Sequence, residues 1–123
     1  MADKILVVED DHLSLKNLRR FLSEEGYQVD CAGNGYEALE LLTKNSFDLV
    51  LSDISMPGID GYELLSHVRA SFPSIPVILM TGNFTLAPPA LPCPGANALF
   101  LKPLDLEKLS DTIEEVLNKR SLV

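Results

Sequence analysis

The feature that most constrains the fold is the alternation of strand-like and helix-like hydrophobic patterns along the chain. The strand-like patterns are short apolar or alternating runs, typical of parallel strands covered on both faces. They lie at residues 5–8, 27–31, 47–51, 75–80 and 98–101. Apolar residues recur at helical spacing at residues 15–22, 36–44, 62–70 and 106–117. This order in 123 residues predicts a single α/β domain, residues 1–123, built on a doubly wound parallel sheet.

The expected sheet has five strands in the flavodoxin-like order 2-1-3-4-5, because right-handed crossovers place helices on both of its faces. The pattern breaks once, between Thr81 and Gly95, where a helix is due before the fifth strand. That segment reads GNFTLAPPALPCP, and its prolines lack an amide donor and clash with helical geometry. We therefore predict that the fourth helix is short or replaced by a proline-rich loop.

Polar side chains stand at the carboxyl ends of four of the apolar runs. Glu9 and Asp10 follow the first run, Asp53 the third, Thr81 the fourth and Lys102 the fifth. Parallel strands bring their carboxyl ends to one edge of the sheet, which is where doubly wound folds bind ligands. The sequence therefore predicts that these five residues share one site.

The acidic residues of this group indicate a metal site. Glu9, Asp10 and Asp53 would repel one another within a few ångströms unless a cation compensates their charge. Oxygen ligands without His or Cys favour a hard cation such as Mg²⁺. An aspartate at this point also has a purely structural role as the cap of the following helix, and we assign that role to Asp11, with an auxiliary role at the site as the alternative. His12 is expected to be an exposed residue of the first helical turn.

The other residues of the group suit phosphoryl transfer to a carboxylate. Beside a bound cation, Asp53 can attack a phosphoryl group in line and form an acyl phosphate. Lys102 would supply positive charge to the phosphoryl oxygens, and Thr81 a hydroxyl donor. Taken alone, Lys102 is equally well explained as a surface lysine and Thr81 as a strand-end hydroxyl. Their coincidence with the acids at four strand ends favours the site.

Four motifs of the chain resemble those of the receiver domain of two-component response regulators, the CheY-like superfamily, over essentially the whole length. The motifs are ILVVEDD, LVLSDISMPGIDG, VILMTG and LFLKPLD, in the family's order and at nearly its separations. The resemblance implies that Asp53 is the phosphoacceptor. It also implies that Glu9, Asp10, Asp53 and the backbone carbonyl of Ser55 bind Mg²⁺.

The resemblance further implies how a signal would pass through the domain. Thr81 matches the family's switch hydroxyl, Lys102 the lysine that contacts the phosphoryl group, and Gly82 would let the adjoining loop move at little steric cost. Ser55 and Asn83 would tune how fast water attacks the acyl phosphate. The implied phosphodonor is a sensor histidine kinase or a histidine phosphotransfer protein, and the output would reach an unknown downstream protein. We expect no enzymatic turnover beyond self-phosphorylation and autodephosphorylation.

Two departures from the family lie on the output side. Leu99 stands three residues before the lysine, where the family usually carries Tyr or Phe, and Phe100 comes one place later. Because side chains alternate across a strand, Phe100 is expected on the opposite side, unless a slip or bulge of the strand moves it. The proline-rich segment falls where the family commonly dimerises. The usual dimer face is therefore expected to be altered, and the oligomeric state stays open.

The composition of the chain limits the classes of molecule that it is expected to bind. The net charge of −8 and the lack of a basic run disfavour direct binding to nucleic acid. The apolar runs are too short to span a bilayer, so we expect no membrane partner and a cytoplasmic location, with Cys31 and Cys93 reduced. The chain is either a domain acting alone or a piece of a hybrid kinase or longer regulator.

Three other classes of protein compete with the phosphoacceptor. A pseudo-receiver would keep the fold and only bind partners, but the complete set of site residues argues against it. A Mg²⁺-dependent phosphohydrolase would need a second acid at the position of Ser55. A flavin-binding protein would need a loop rich in Ser, Thr and Gly after the first strand, where this chain has EDDH.

Overall fold

The computed structural model describes residues 2–82 and 95–121, which contain all nine predicted elements. The strands are β1 (Lys4–Val8), β2 (Gln28–Ala32), β3 (Leu49–Asp53), β4 (Val77–Thr81) and β5 (Ala98–Leu101). The helices are α1 (His12–Glu24), α2 (Gly35–Lys44), α3 (Gly61–Ser71) and α4 (Leu106–Ser121). In this part of the chain, no helix has the length and apolar character needed to cross a membrane. The predicted short helix or proline-rich loop and Cys93 lie outside the described residues.

The strands form one parallel sheet in the order β2-β1-β3-β4-β5, which confirms the predicted flavodoxin-like topology. The chain passes from β1 outward to β2 and then crosses back to β3 on the other side. The order of strands therefore switches between β1 and β3, and a doubly wound sheet opens its ligand crevice at the carboxyl ends of such a pair. The topology alone singles out the loops that follow β1 and β3.

Alternating side chains divide the core into two layers, one on each face of the sheet. One layer packs α2 and α3 against the sheet through residues that include Leu6, Val8, Val50, Leu79, Leu42, Leu64 and Val68. The other packs α1 and α4 through residues that include Ile5, Val7, Leu51, Ile78, Met80, Leu22 and Ile113. Both faces of the central strands are thus covered, which explains why β1, β3 and β4 are continuous apolar runs.

Two aspartates fix the starts of helices that flank the predicted site. The side chain of Asp11 accepts a hydrogen bond from the backbone amide of Ser14, so Asp11 caps α1 as predicted. Asp60 caps α3 in the same way and forms a reciprocal capping box with Glu63. His12 is the first residue of α1 and is exposed, also as predicted.

The third and fourth strands begin two residues later than the apolar runs suggest. Phe47 is buried but precedes the paired part of β3. Pro76 has no amide to donate, and only its carbonyl joins the ladder, accepting from the Val50 amide at 3.0 Å. The same two strands also end later than predicted, so Asp53 and Thr81 are the last residues inside β3 and β4 rather than residues that follow these strands.

The turn that leaves β3 requires a glycine. The amide of Gly61, the first residue of α3, donates to the carbonyl of Ile54 at 2.8 Å. A Cβ atom on Gly61 would lie 2.6 Å from the carbonyl oxygen of Asp53 and 2.6 Å from the Cα atom of Ile54. Backbone cannot move aside as a flexible side chain can. Helix α3 therefore begins in direct contact with the main chain that carries the Asp53 carboxylate.

We expect Gly61→Ala to destabilise the protein by ~1–3 kcal/mol, because its methyl group would overlap backbone in a packed turn. The measurement is the free energy of unfolding from a urea titration. Gly33→Ala is the matched control, since its Cβ would meet only the Glu37 side chain at 3.8 Å. Equal stability of the two variants would contradict the proposed close contact.

Candidate functional site

The predicted site residues meet at the carboxyl edge of the sheet. Glu9 directly follows β1, and its amide donates to the carbonyl of Ala32 at 3.0 Å. Lys102 directly follows β5, and its amide donates to the carbonyl of Thr81 at 2.8 Å. The exposed fraction is 1% for Glu9, 6% for Asp53 and 1% for Thr81. Ionisable residues are rarely buried to this degree without a partner, so this edge is the strongest candidate for a site.

The ammonium group of Lys102 joins the two buried carboxylates. Its Nζ atom lies 2.6 Å from Oε1 of Glu9 and 2.9 Å from Oδ2 of Asp53. Burial by itself lowers the pKa of Lys102, but the hydrogen bonds to Glu9 and Asp53 outweigh it and raise the pKa above its usual value. Lys102 is therefore held as a cation between carboxylates that come from two different strands.

Glu9 is buried with one of its carboxylate oxygens unpaired. Oε1 contacts Lys102, whereas Oε2 accepts no hydrogen bond from any residue in ranges 2–82 and 95–121. Burial and the neighbouring carboxylate of Asp53 raise the pKa of Glu9 from 4.5 to about 7, against the opposing effect of Lys102. Glu9 therefore holds its proton close to neutral pH, and its free oxygen suits an additional ligand.

Asp10 completes a cluster of three acids. One carboxylate oxygen from each of Glu9, Asp10 and Asp53 can be chosen so that all three lie within 4.8 Å of one another. Glu9 and Asp53 are buried and Asp10 is exposed, so the cluster is open to solvent on one side. A set of oxygen ligands with a free, buried oxygen on Glu9 fits a hard divalent cation that keeps part of its water shell.

Both carboxylate oxygens of Asp53 have hydrogen-bonding partners. Oδ2 contacts Lys102, and Oδ1 accepts from the backbone amide of Ser55 at 3.2 Å. The hydroxyl of Ser52 donates to the Asp53 carbonyl at 2.9 Å. The turn after β3 therefore orients the carboxylate, and it places the backbone of Ser55 at the site. The ligand role of the Ser55 carbonyl stays a prediction.

The predicted switch residues take the places that strand alternation requires. The pairing of β4 with β5 is regular, from Ile78 opposite Ala98 to Thr81 opposite Leu101, so β5 carries neither a bulge nor a slip. Leu99 packs toward the layer of α2 and α3, and Phe100 packs toward the layer of α1 and α4.

Two further residues were predicted to act near the switch. Gly82 adjoins Lys102: a Cβ atom there would lie 3.7 Å from the Cβ atom of Lys102. Asn83 lies outside the described residues. The structure thus places Gly82 beside the lysine, and the tuning role of Asn83 stays a prediction.

Two features of the site had not been predicted. One is the direct ion pair of Glu9 with Lys102, because the sequence assigned these residues to different partners. The other is the contact of Gly61 with the main chain of Asp53. The second had a sequence signal, since a glycine directly after a capping aspartate marks a close approach of backbone.

The comparison with known proteins gives the same family as the motifs. The family model described as the response regulator receiver domain matches residues 5–114. Sporulation initiation phosphotransferase F of Bacillus subtilis is 36% identical over 123 residues, which cover 98% of each protein. The transcriptional regulatory protein ZraR of Klebsiella oxytoca is 44% identical over 115 residues, or 92% of this chain and 26% of that protein. The chain thus spans about a quarter of that regulator's length.

A solved structure supports the same assignment. The crystal structure of response regulator protein TrrA from Thermotoga maritima, in complex with Mg²⁺-BeF, has a TM-score of 0.85 at 32% identity. The superposition covers 93% of this chain and 98% of that chain. With the family match over most of its length, and with the acidic cluster and lysine at the predicted edge, this chain belongs to the response regulator receiver domain family of two-component systems.

Proposed function

We propose that this receiver domain accepts a phosphoryl group on Asp53 in the presence of Mg²⁺ and acts as a phosphorylation-dependent signalling switch. The observation that carries the proposal is the contact of one ammonium group with two buried carboxylates at the strand switch point. This arrangement presents a nucleophilic oxygen next to fixed positive charge. Phosphoryl transfer depends mainly on such positioning and charge.

The chain's own residues supply the nucleophile and its orientation. An oxygen of Asp53 would attack the phosphorus in line, forming the O–P bond of an acyl phosphate as the bond to the donor breaks. The Ser55 amide at 3.2 Å and the Lys102 ammonium at 2.9 Å hold the carboxylate before attack. Lys102 then exchanges one carboxylate contact for a phosphoryl oxygen, and the buried Thr81 offers its hydroxyl from the next strand.

Mg²⁺ fits the acidic cluster to which this nucleophile belongs. Glu9, Asp10 and Asp53 would hold the ion. Oε2 of Glu9 is the natural ligand atom, because it is buried and makes no hydrogen bond within the described residues. When bound, the ion neutralises the acids and the incoming phosphoryl oxygens. Glu9 must lose its proton to serve as a ligand. Because Lys102 already contacts Glu9 and Asp53, Lys102 and the ion compete for the negative charge of these two carboxylates.

Signalling partners follow from the family. Receiver domains interact with sensor histidine kinases, so we propose a phosphohistidine on such a kinase, or on a histidine phosphotransfer protein, as the donor. Two large apolar side chains near the starts of α1 and α4 are exposed: Leu13 in the first turn of α1 to 66%, and Leu106 at the start of α4 to 40%. Leu106 also lines a cavity of about 230 Å³, together with Leu18 of α1 and Lys102. A donor protein seated there would deliver its phosphoryl group next to Lys102.

A pseudo-receiver is the second candidate, because Leu99 stands where the family usually carries an aromatic residue and a proline-rich sequence stands where the family commonly dimerises. We propose that the domain is a phosphoacceptor rather than a turnover enzyme, since the phosphoryl group would stay on the protein itself. The phosphorylation experiment separates these alternatives. A pseudo-receiver acquires no phosphoryl group, and an enzyme releases product continuously.

Incubation with acetyl phosphate and Mg²⁺ should add the mass of one phosphoryl group to the wild-type protein, as measured by intact-mass spectrometry. Asp53→Asn should acquire none, because an amide is not a nucleophile under these conditions. Asp111→Asn, which changes an exposed carboxylate on α4, is the matched control and should behave as wild type. An equal adduct on Asp53→Asn and wild type would refute the assignment of the phosphoacceptor.

Lys102→Gln should bind Mg²⁺ more tightly and be phosphorylated more slowly. Removing an ammonium group from two metal-binding carboxylates relieves a repulsion worth ~1 kcal/mol even in water, or about fivefold in affinity. Calorimetric titration with Mg²⁺ would measure the effect at a pH that ionises Glu9 in both proteins, because loss of Lys102 raises the pKa of Glu9 further. Lys119→Gln, near the end of α4, is the control for loss of one positive charge. Unchanged or weaker Mg²⁺ binding in Lys102→Gln would show that Lys102 does not compete with the ion.

In metal-free protein, Glu9 should contribute a pH-dependent stability that Glu9→Gln lacks. The folded-state pKa of about 7 lies above the ordinary 4.5, so the folded protein binds the Glu9 proton more tightly. Its contribution is complete below about pH 4.5 and is lost as the pH rises through about 7. Urea unfolding with EDTA at several pH values would measure the difference between wild type and variant. Parallel pH curves for the two proteins would contradict the raised pKa.

A further inference from the structure

The register of β5 is only weakly determined by its hydrophobic pattern. β5 has the sequence ALFL and lies at the edge of the sheet. Ala98 and Phe100 pack toward one layer, Leu99 packs toward the other, and Leu101 is 44% exposed. A shift of β5 by one residue would replace apolar side chains with other apolar side chains on both faces of the sheet. The burial of apolar surface therefore distinguishes poorly between the two registers. The same shift would place Phe100 where Leu99 lies.

Polar contacts at the start of β5 distinguish the registers instead. The amide of Asn97 donates to the carbonyl of Val77 at 2.7 Å, and the side-chain Oδ1 of Asn97 accepts from the amide of Val77 at 2.9 Å. Asn97 therefore satisfies both backbone groups of the first residue of β4. A shift of β5 by one residue, about 3.3 Å, would place Ala96 or Ala98 opposite Val77, and alanine has no side-chain acceptor.

Arg69 of α3 fixes this pair from the side. Its guanidinium donates to the carbonyls of Gly95 at 2.7 Å and Ile75 at 2.6 Å, and to Oδ1 of Asn97 at 3.1 Å. One rigid group thus ties the segment before β5 to the segment before β4. Gly95 has a φ of +88° and lies against the Arg69 side chain, so a larger residue there would be both strained and crowded.

We propose that Arg69 and Asn97 are positioning residues that set the register of β5 and thereby hold Lys102 at Asp53. Lys102 is the residue that follows β5, and its Nζ atom lies 2.9 Å from Oδ2 of Asp53. A shifted strand would carry that ammonium group away and turn it toward the other face of the sheet. The register is independent of the proposed phosphoryl transfer, whereas its consequence for Lys102 rests on that function.

The first test compares Asn97→Leu and Arg69→Met with Asn97→Asp, which keeps the side-chain acceptor. Cross-strand proton contacts are measured by NMR in metal-free protein. Wild type and Asn97→Asp should show Leu79 opposite Leu99. The other two variants should add contacts of Leu79 with a residue next to Leu99. Arg20→Met, which removes an exposed arginine from α1, is the control and should match wild type. A single wild-type pattern in both Asn97→Leu and Arg69→Met would overturn the proposal.

The second measurement is the rate of phosphorylation by acetyl phosphate. Asn97→Leu should lose ~10-fold or more through misplacement of Lys102, and Asn97→Asp should retain the wild-type rate. A shifted register with an unchanged rate would overturn the link to Lys102. If the wild type takes up no phosphoryl group, the proposed function fails, while the cross-strand contacts still decide the register.

Hydrogen exchange of the unaltered protein tests the proposal even if the variants do not fold. The amides of Val77 and Asn97 should be protected to within ~10-fold of the amides in the central strand β3, because a contact that sets register must not open on its own. Exchange of these two amides ~100-fold faster than that reference would mean that the start of β5 frays freely, and the proposal would be wrong.

Discussion

The ion pair of Lys102 with Glu9 and Asp53 is the interaction on which the rest of the site depends. It joins residues that follow or end three different strands, so it exists only when β1, β3 and β5 are assembled in one sheet. Two buried carboxylates without a cation would be strongly destabilising. The lysine therefore compensates the two carboxylates and orients Asp53 through the contact of its Nζ atom with Oδ2 at 2.9 Å. In the proposed function, the same ammonium group would contact the phosphoryl group.

Contacts at both ends of the strands fix the positions of the site residues. At the carboxyl edge, capped helices and the contact of Gly61 with the Asp53 main chain fix the loops. At the opposite end, Arg69 and Asn97 fix the start of the last strand. Parallel strands are rigid connections between the two edges, so a contact far from the chemistry can still determine where Lys102 stands.

Much of this could be predicted from the sequence because its patterns are local and periodic. Continuous apolar runs and helical spacing predicted all nine described elements, and the acids at strand ends predicted which residues would meet. The alternation of side chains also placed Leu99 and Phe100 on opposite faces correctly. The bounds of β3 and β4 were less predictable, since Phe47 and Ile75 are apolar and buried without belonging to the paired strands.

The sequence by itself determined the order of elements, the family and the candidate site residues, because each depends on residue type and spacing along the chain. Only the tertiary structure decided which of those residues touch. The pairing of Glu9 with Lys102 across 93 positions, the raised pKa of Glu9 and the attachment of Arg69 to Asn97 across 28 positions are examples. Burial and distance between segments remote in sequence set these properties. Neither quantity is encoded in any local pattern.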